Sequence, residues 1–377
     1  MSYRYIDTPE ALAETSALLD GIPRIALDCE AAGFHRYSDR LCLVQLSTPD
    51  STFLLDPLAL DLSEPLRPIL ENPDVQVVMH GSDYDVRLLD RDLDIRLQGL
   101  FDTQAAASIL GESSIGLSAL LEKHLGIKLS KTHQRADWAQ RPLTDGMLDY
   151  AAADTGHLMA LADILLQQLE EKGRVEWAQE ECHFLEAIRW EEDEGDTIIK
   201  VKGAKDLTAR EVTALREALH WRNEIAEARD RAPFRVAGDP VLLSVVVERP
   251  QSLDHLAAIK GISPRLAQQD GSDLLARLGK VDNLPEDELI PYPRFRGNGP
   301  GRPTPEEEAL ADRIRKLRTG KAEEIGVDRG ELLSNSQIME IVRETPGSIE
   351  ELVGLPGLRR WQAGLIGLEI LKLVEAG

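Results

Sequence analysis

The sequence predicts an α/β domain built on a mixed sheet with flanking helices, followed by two small all-α modules. Three observations carry this expectation. Runs rich in strand formers alternate with helical periodicity over about the first 170 residues, only helical periodicity follows them, and two segments of that helical half resemble each other. The first run, Arg24-Ile25-Ala26-Leu27-Asp28-Cys29-Glu30, is apolar and ends in acid. Alternate residues of a strand share a face, so Asp28 and Glu30 point one way and Cys29 the other. Leu41 to Ser47 and Ser51 to Asp56 are short and close enough to pair as a hairpin. Val75 to Met79 is the next β-rich run, and the segment from His80 to Val86 turns into a helix that carries Asp85. Asp102 caps a further helix that Thr103 begins. Thr144-Asp145 then opens a helix running through Tyr150 and Asp154 toward Leu169. Spacing of i, i+4 sets Tyr150 and Asp154 on one helical face.

Beyond that helix, Arg174 to Asp196 forms a charged connecting helix, and Leu207-Thr208-Ala209-Arg210-Glu211 opens a new helical stretch. Asp282 to Pro305 is rich in Pro and Gly and reads as a linker, after which helical periodicity runs to the end. The expected organisation is therefore 1–200, 205–281, a linker at 282–305, and 306–377. Within the helical half, the stretch from Pro250 to Ile262 aligns with that from Pro346 to Leu358 through shared Pro, Ser, aliphatic and Gly positions.

The acids carry the chemistry. Asp28, Glu30, Asp85 and Asp154, gathered together, would repel one another and raise each other's pKa unless a cation neutralised them. Oxygen-only ligands favour hard ions such as Mg2+ or Mn2+ over zinc. Two such ions about 3.5 to 4 Å apart clamp the attacking and leaving oxygens of an in-line phosphoryl displacement. Tyr150 would position the attacking water or accept its proton, and with a pKa near 10 the second role would need help from the metal at neutral pH.

In order and spacing, Asp-x-Glu at a strand end, an Asp at a strand-to-helix turn and Tyr-x-x-x-Asp in a later helix resemble the tyrosine subclass of the DEDD exonucleases, specifically the ribonuclease D family. Leu41-Cys42-Leu43-Val44-Gln45-Leu46-Ser47, Phe101-Asp102-Thr103 and the run from Lys131 to Leu143 are similar to that family as well. The resemblance implies a ribonuclease H-like fold, Asp28, Glu30, Asp85 and Asp154 as metal ligands for two divalent cations, Mg2+ or Mn2+, and Tyr150 as the water-orienting residue. It implies hydrolysis of RNA from the 3′ end with release of 5′-monophosphates, and precursor tRNAs and other small structured RNAs as substrates. Many relatives place a bulky residue directly after the Glu, whereas this chain has Ala31-Ala32-Gly33 before Phe34. Both helical modules resemble the HRDC domain that follows the nuclease in this family.

Candidate RNA contacts follow from charge and position. Phe34 lies in the loop after the acidic strand, where a ring can stack on a base or pack. Lys131, Gln134 and Arg141 precede the tyrosine helix and either touch the RNA backbone or are solvated loop residues. His80 reads as structural. Lys260, Arg359 and Arg360, with Trp221, Arg222 and Trp361, are the candidates in the helical modules. There, Lys260-Gly261-Ile262 and Leu355-Pro356-Gly357-Leu358 either present backbone N–H groups to phosphate or form plain interhelical turns.

The bulk properties bound these readings. A formal net charge of −23 opposes nucleic-acid binding. Part of that acid is the cation cage, and more sits in local runs such as Glu191-Glu192-Asp193-Glu194 and Pro285-Glu286-Asp287-Glu288. Arginine outnumbers lysine, a bias toward bidentate phosphate binding. No apolar run reaches the roughly twenty residues of a membrane span, no signal peptide is visible, and three cysteines lack metal-ligand spacing. A cytoplasmic monomer with no obligate protein partner is the expectation. A DNA exonuclease of the same fold and a non-catalytic nucleic-acid adaptor are the competing readings, while the lack of a Gly-x-x-x-x-Gly-Lys-Ser/Thr loop excludes a helicase.

Overall fold

The computed structural model describes residues 2–192, 195–293 and 301–376. Asp193 and Glu194 of the acidic run, and residues 294–300 of the expected linker, lie outside the described residues. The chain divides into two compact units that do not follow chain order. The first comprises Met1–Glu30, Leu41–Trp190 and Pro300–Gly377, and the second Ala31–Arg40 and Glu191–Gly299.

In the first unit, strands β1 (Tyr3–Ile6), β2 (Arg24–Ala31), β3 (Leu41–Ser47), β4 (Thr52–Leu55), β5 (Gln76–Met79) and β6 (Leu100–Asp102) form one mixed sheet in the order β1-β4-β3-β2-β5-β6. The expected hairpin is present: β3 and β4 are antiparallel, with Val44 opposite Leu55 and Ser47 opposite Thr52. Strands β1 and β6 were not expected. β1 adds an edge parallel to β4, and β6 runs parallel to β5. β2 is interior, so Ile25, Ala26 and Leu27 are all fully buried, as a strand covered on both faces requires.

Helices α1 (Pro9–Leu19), α2 (Ser63–Leu70), α3 (Asp83–Leu93), α4 (Thr103–Leu110), α5 (Leu117–Leu125), α6 (Asp145–Thr155), α7 (Leu158–Glu171) and α8 (Val175–Glu186) complete the nuclease part of this unit. The tyrosine helix does not run unbroken to Leu169. It ends at Thr155 and restarts at Leu158, where Gly156 and the non-helical backbone of His157 interrupt it.

The second unit holds α9 (Ala209–Ala228), α10 (Pro233–Val236), α11 (Asp239–Glu248), α12 (Leu253–Ala258) and α13 (Pro264–Asp282) around Trp221, Leu242, Leu256 and Leu274. The C-terminal segment repeats it as α14 (Pro305–Ile325), α15 (Arg329–Leu332), α16 (Asn335–Glu344), α17 (Ile349–Val353) and α18 (Arg360–Glu375).

The repeat is legible atom by atom, with one constant sequence offset. Thr208 and Glu211 form a capping box, as do Thr304 and Glu307. Ser252 and Ser348 cap equivalent helices. Gly261 and Gly357 both sit at positive φ in the turn before the last helix, a conformation that favours glycine. Arg222 bonds the Ala237 carbonyl and Asp239, and Arg318 bonds the Leu333 carbonyl and Asn335 in the same places. Arg222 is thus an internal brace of the repeat rather than an RNA contact.

The C-terminal module shares a hydrophobic core with the nuclease helices. Trp361 stacks on Trp177 at 5.1 Å between ring centroids and donates its indole N–H to Glu181 at 2.9 Å. Arg174 of the nuclease part reaches the Ile109 and Ile325 carbonyls. Trp361 and Trp221 are therefore core side chains; Trp221 is buried and donates to the Asp270 carbonyl.

Candidate active site

The site is assembled from three elements. The end of β2 presents Asp28 and Glu30, while Cys29 points to the buried opposite face. α6 starts at the Thr144 cap, whose hydroxyl accepts from Met147 N at 3.3 Å, and this fixes the register that brings Tyr150 and Asp154 to the site. Asp85 enters from the first turn of α3. The turn before it is held by Asp102, whose carboxylate accepts from the backbone N–H groups of Gly81, Ser82, Gln104 and Ala105. Asp102 is a cap, as its sequence position indicates. Gly81 takes φ +68° in that turn, which permits the chain to reverse beside the Gln104 amide.

One carboxylate oxygen from each of Asp28, Glu30 and Asp154 lies within 4.8 Å of the others. Asp85 is buried and reaches this triplet through Asp28, whose charge, after burial itself, pushes the Asp85 carboxyl well above its ordinary range. Burial and then Asp154 raise Asp28 to about 8. Burial and then Asp28 raise Glu30 well above the usual carboxylate range. Burial raises Asp154 to about 7 against the opposing effect of its hydrogen bond from Tyr150. No cationic side chain is among the causes of any of these shifts, so four acids face each other without a protein counter-charge. Such an oxygen-only, uncompensated set fits hard divalent cations.

The Tyr150 hydroxyl is pushed above its ordinary pKa by burial and by Asp154, Glu30 and Asp28. Its hydroxyl donates to Asp154. Its ring is flanked by Trp138 at 6.0 Å and His133 at 6.2 Å.

A cavity of about 420 Å³ opens on these groups, lined by Asp28, Tyr150 and Asp154 and by Lys131 and Gln134. The structure therefore places Lys131 and Gln134 beside the acids. It does not do so for Arg141. That guanidinium grips Asp56 through Nε at 2.6 Å and Nη2 at 2.7 Å and also bonds the carbonyls of Cys42, Trp138 and Gln140. Arg141 thereby braces Asp56, which is buried, and three backbone carbonyls. Arg141→Met is expected to destabilise the fold by about 3 kcal/mol by leaving Asp56 uncompensated, with KM for RNA unchanged; urea unfolding and steady-state kinetics check both.

Arg359 is likewise consumed. It pairs with Glu181 at 3.1 Å, donates to the Gly357 carbonyl at 2.7 Å and lies 3.5 Å over the Phe184 ring. Lys260 and Arg360 are exposed. Phe34 packs on Phe234 at 5.5 Å within the second unit, with Arg235 over its ring. His80 also lines the cavity that opens on the acids, its Nδ1 2.9 Å from the Thr103 hydroxyl. Sequence reasoning missed Gln104, Ser118 and Ser130, which line the cavity from helix starts and a loop that carry no recognisable motif.

Family comparison agrees with this geometry. A family model described as 3′-5′ exonuclease matches residues 3–170, and one described as HRDC domain matches residues 212–278 and 307–374. Ribonuclease D of Escherichia coli K12 is 32% identical over 291 residues, covering 77% of each chain. The chain belongs to the ribonuclease D family. Ribonuclease D of Granulibacter bethesdensis is 29% identical over 372 residues, covering 98% of this chain and 91% of that one. The crystal structure of Escherichia coli RNase D, described as an exoribonuclease involved in structured RNA processing, superposes with a TM-score of 0.71 at 28% identity, covering 100% of this chain and 99% of that one. The activity of the protein is accordingly that of a 3′-to-5′ exoribonuclease, with use of divalent metal implied by the exonuclease fold. No helix among the described residues is long and apolar enough to cross a membrane.

Proposed function

We propose that the protein trims the 3′ ends of precursor tRNAs and other small structured RNAs, releasing nucleoside 5′-monophosphates with two Mg2+ or Mn2+ ions as cofactors. The observation that carries this is the convergence of Asp28, Glu30 and Asp154 on one point, with the Tyr150 hydroxyl beside them, at the floor of an open cavity. Asp28, Glu30, Asp85 and Asp154 would hold the ions. When bound, the ions supply charge stabilisation for an in-line displacement at phosphorus. Tyr150, anchored on Asp154, holds the attacking water in line with the terminal phosphodiester. Lys131 and Gln134 on the cavity wall offer a cation and an amide to the backbone of the last nucleotides. The reading places the enzyme in the cytoplasm as a monomer.

The experiment is a time course on a 3′-extended tRNA and a sequence-matched DNA strand, with Mg2+, Mn2+ or EDTA. The expected result is stepwise, cation-dependent shortening of the RNA that halts near the folded stem. Faster shortening of the DNA would transfer the assignment to a DNA exonuclease of the same fold, and binding without shortening would favour an adaptor.

A further inference from the structure

The two helical modules share a scaffold but differ on one face, and the difference is all arginine. Where the C-terminal copy has Ile325, Val327 and Trp361, the first copy has Arg229, Arg231 and Arg265, and where the C-terminal copy has Glu331 the first has Arg235. In the C-terminal copy this face is spent on docking: Ile325 and Val327 pack against the shared core, and Trp361 is buried against Trp177. In the first copy the four arginines line a pocket of about 190 Å³ with Ser263, the cap of α13. The repeat shows that the scaffold does not need them.

Their internal obligations are few. Arg229 pairs with Asp270 at 2.6 Å. Arg235 is tied to the loop that follows the acidic strand, donating to the Phe34 carbonyl at 2.8 Å and lying 3.3 Å from His35 Nε2. Arg231 and Arg265 are exposed, and Arg265 bonds only the neutral Gln269 among the described residues. The turn between Arg229 and Arg231 passes through Asp230 at φ 43°, where the other copy has Gly326 at φ 67°. A side chain is strained in that region, and Asp230 uses its carboxylate to accept from Arg36 and from Tyr37 N. A cluster of guanidiniums assembled on a chain of net charge −23 is a local reversal of sign, and for Arg231 and Arg265 no ion pair is present among the described residues to account for it.

We propose that Arg229, Arg231, Arg235 and Arg265 form a phosphate-binding site for the RNA backbone. Guanidinium groups bind phosphate bidentately, and the small polar pocket suits a phosphodiester and not an apolar side chain. The ligand identity rests on the exoribonuclease reading; the site lies in the unit that also contains residues 31–40, the segment leaving metal-ligand candidate Glu30. The site holds nucleotides or stem phosphates upstream of the 3′ end.

The test is Arg231→Gln with Arg265→Gln, two exposed positions outside the catalytic set. RNA binding is read by fluorescence anisotropy in EDTA across a salt series, and turnover by steady-state kinetics on a 3′-tailed stem-loop and on a tetranucleotide. The expected result is a rise of about tenfold in Kd and KM for the stem-loop, unchanged kcat, unchanged kinetics on the tetranucleotide, and a log Kd against log salt slope shallower by about 0.7 for each lost contact. The double Lys variant should keep most of the slope. An unchanged slope and KM on the stem-loop would overturn the proposal, and so would an equal loss on the tetranucleotide, which would place the arginines at the nuclease cavity. Wild-type protein that binds RNA with this arginine-dependent slope but shortens none would sink the nuclease reading and leave the site standing.

Discussion

Asp28→Asn is expected to lower kcat on RNA at least a thousandfold, a barrier increase of about 4 kcal/mol, while RNA affinity in EDTA stays within about twofold of wild type. Asp28 is the hub of the acidic set: it lies within the triplet with Glu30 and Asp154, and its charge acts on buried Asp85 more strongly than that of Asp102 does. Removing its charge takes a ligand from the point where the cations must sit without touching the arginine pocket or the cavity wall. The same substitution should make the cation-free protein more stable. Asp28 is held near pKa 8 chiefly by burial and then by Asp154, so replacing it with a neutral isostere relieves repulsion in the native state. Single-turnover assays, anisotropy and thermal melts in EDTA are the measurements. Activity within tenfold of wild type would refute the cage, and a lower melting temperature in EDTA would refute the repulsion argument.

The second large effect is on stability against pH. Asp28 at about 8 and Asp154 at about 7, with Glu30 and Asp85 also raised, have folded pKa values above their unfolded ones. Between those limits the native state binds more protons than the unfolded chain. The stability of the cation-free protein therefore falls as pH rises from about 4 through about 8. From pH 6 to pH 8 the loss should be about 2–4 kcal/mol for the domain that carries the site, or roughly 5–10 °C in Tm. Divalent cations compete with those protons, so Mg2+ should stabilise far more at pH 8 than at pH 6. Calorimetry at the two pH values, with EDTA or with an excess of MgCl2, would show it. A cation-free Tm that rises from pH 6 to pH 8 would exclude an uncompensated acidic cluster.

Much of the site was legible because it depends on short-range periodicity. Alternation along β2 sets Asp28 and Glu30 on one face, and the Thr144 cap with i, i+4 spacing sets Tyr150 beside Asp154. The cap at Asp102 was readable for the same reason: a side chain serving the backbone two or three residues ahead needs no tertiary partner. The internal partners of the arginines were not legible, because a guanidinium looks alike in sequence whether it faces RNA or a carboxylate of the same chain. Arg141 became a brace through Asp56, Arg359 through Glu181, and Arg222 through Asp239, all partners distant along the chain.

What the sequence by itself determined is the elements that carry the acids and the tyrosine, the positions of those side chains on their faces, and the repeat of two helical modules. Only the tertiary structure decided the strand order with its two added edge strands, the joining of the C-terminal module to the nuclease core, and the grouping of residues 31–40 with the first module. It alone gathered Arg229, Arg231, Arg235 and Arg265 from a helix end, a turn and the start of another helix. The division follows from range: backbone hydrogen bonding and side-chain period act within a few residues, whereas charge pairing and burial depend on which distant segments the folded core brings together.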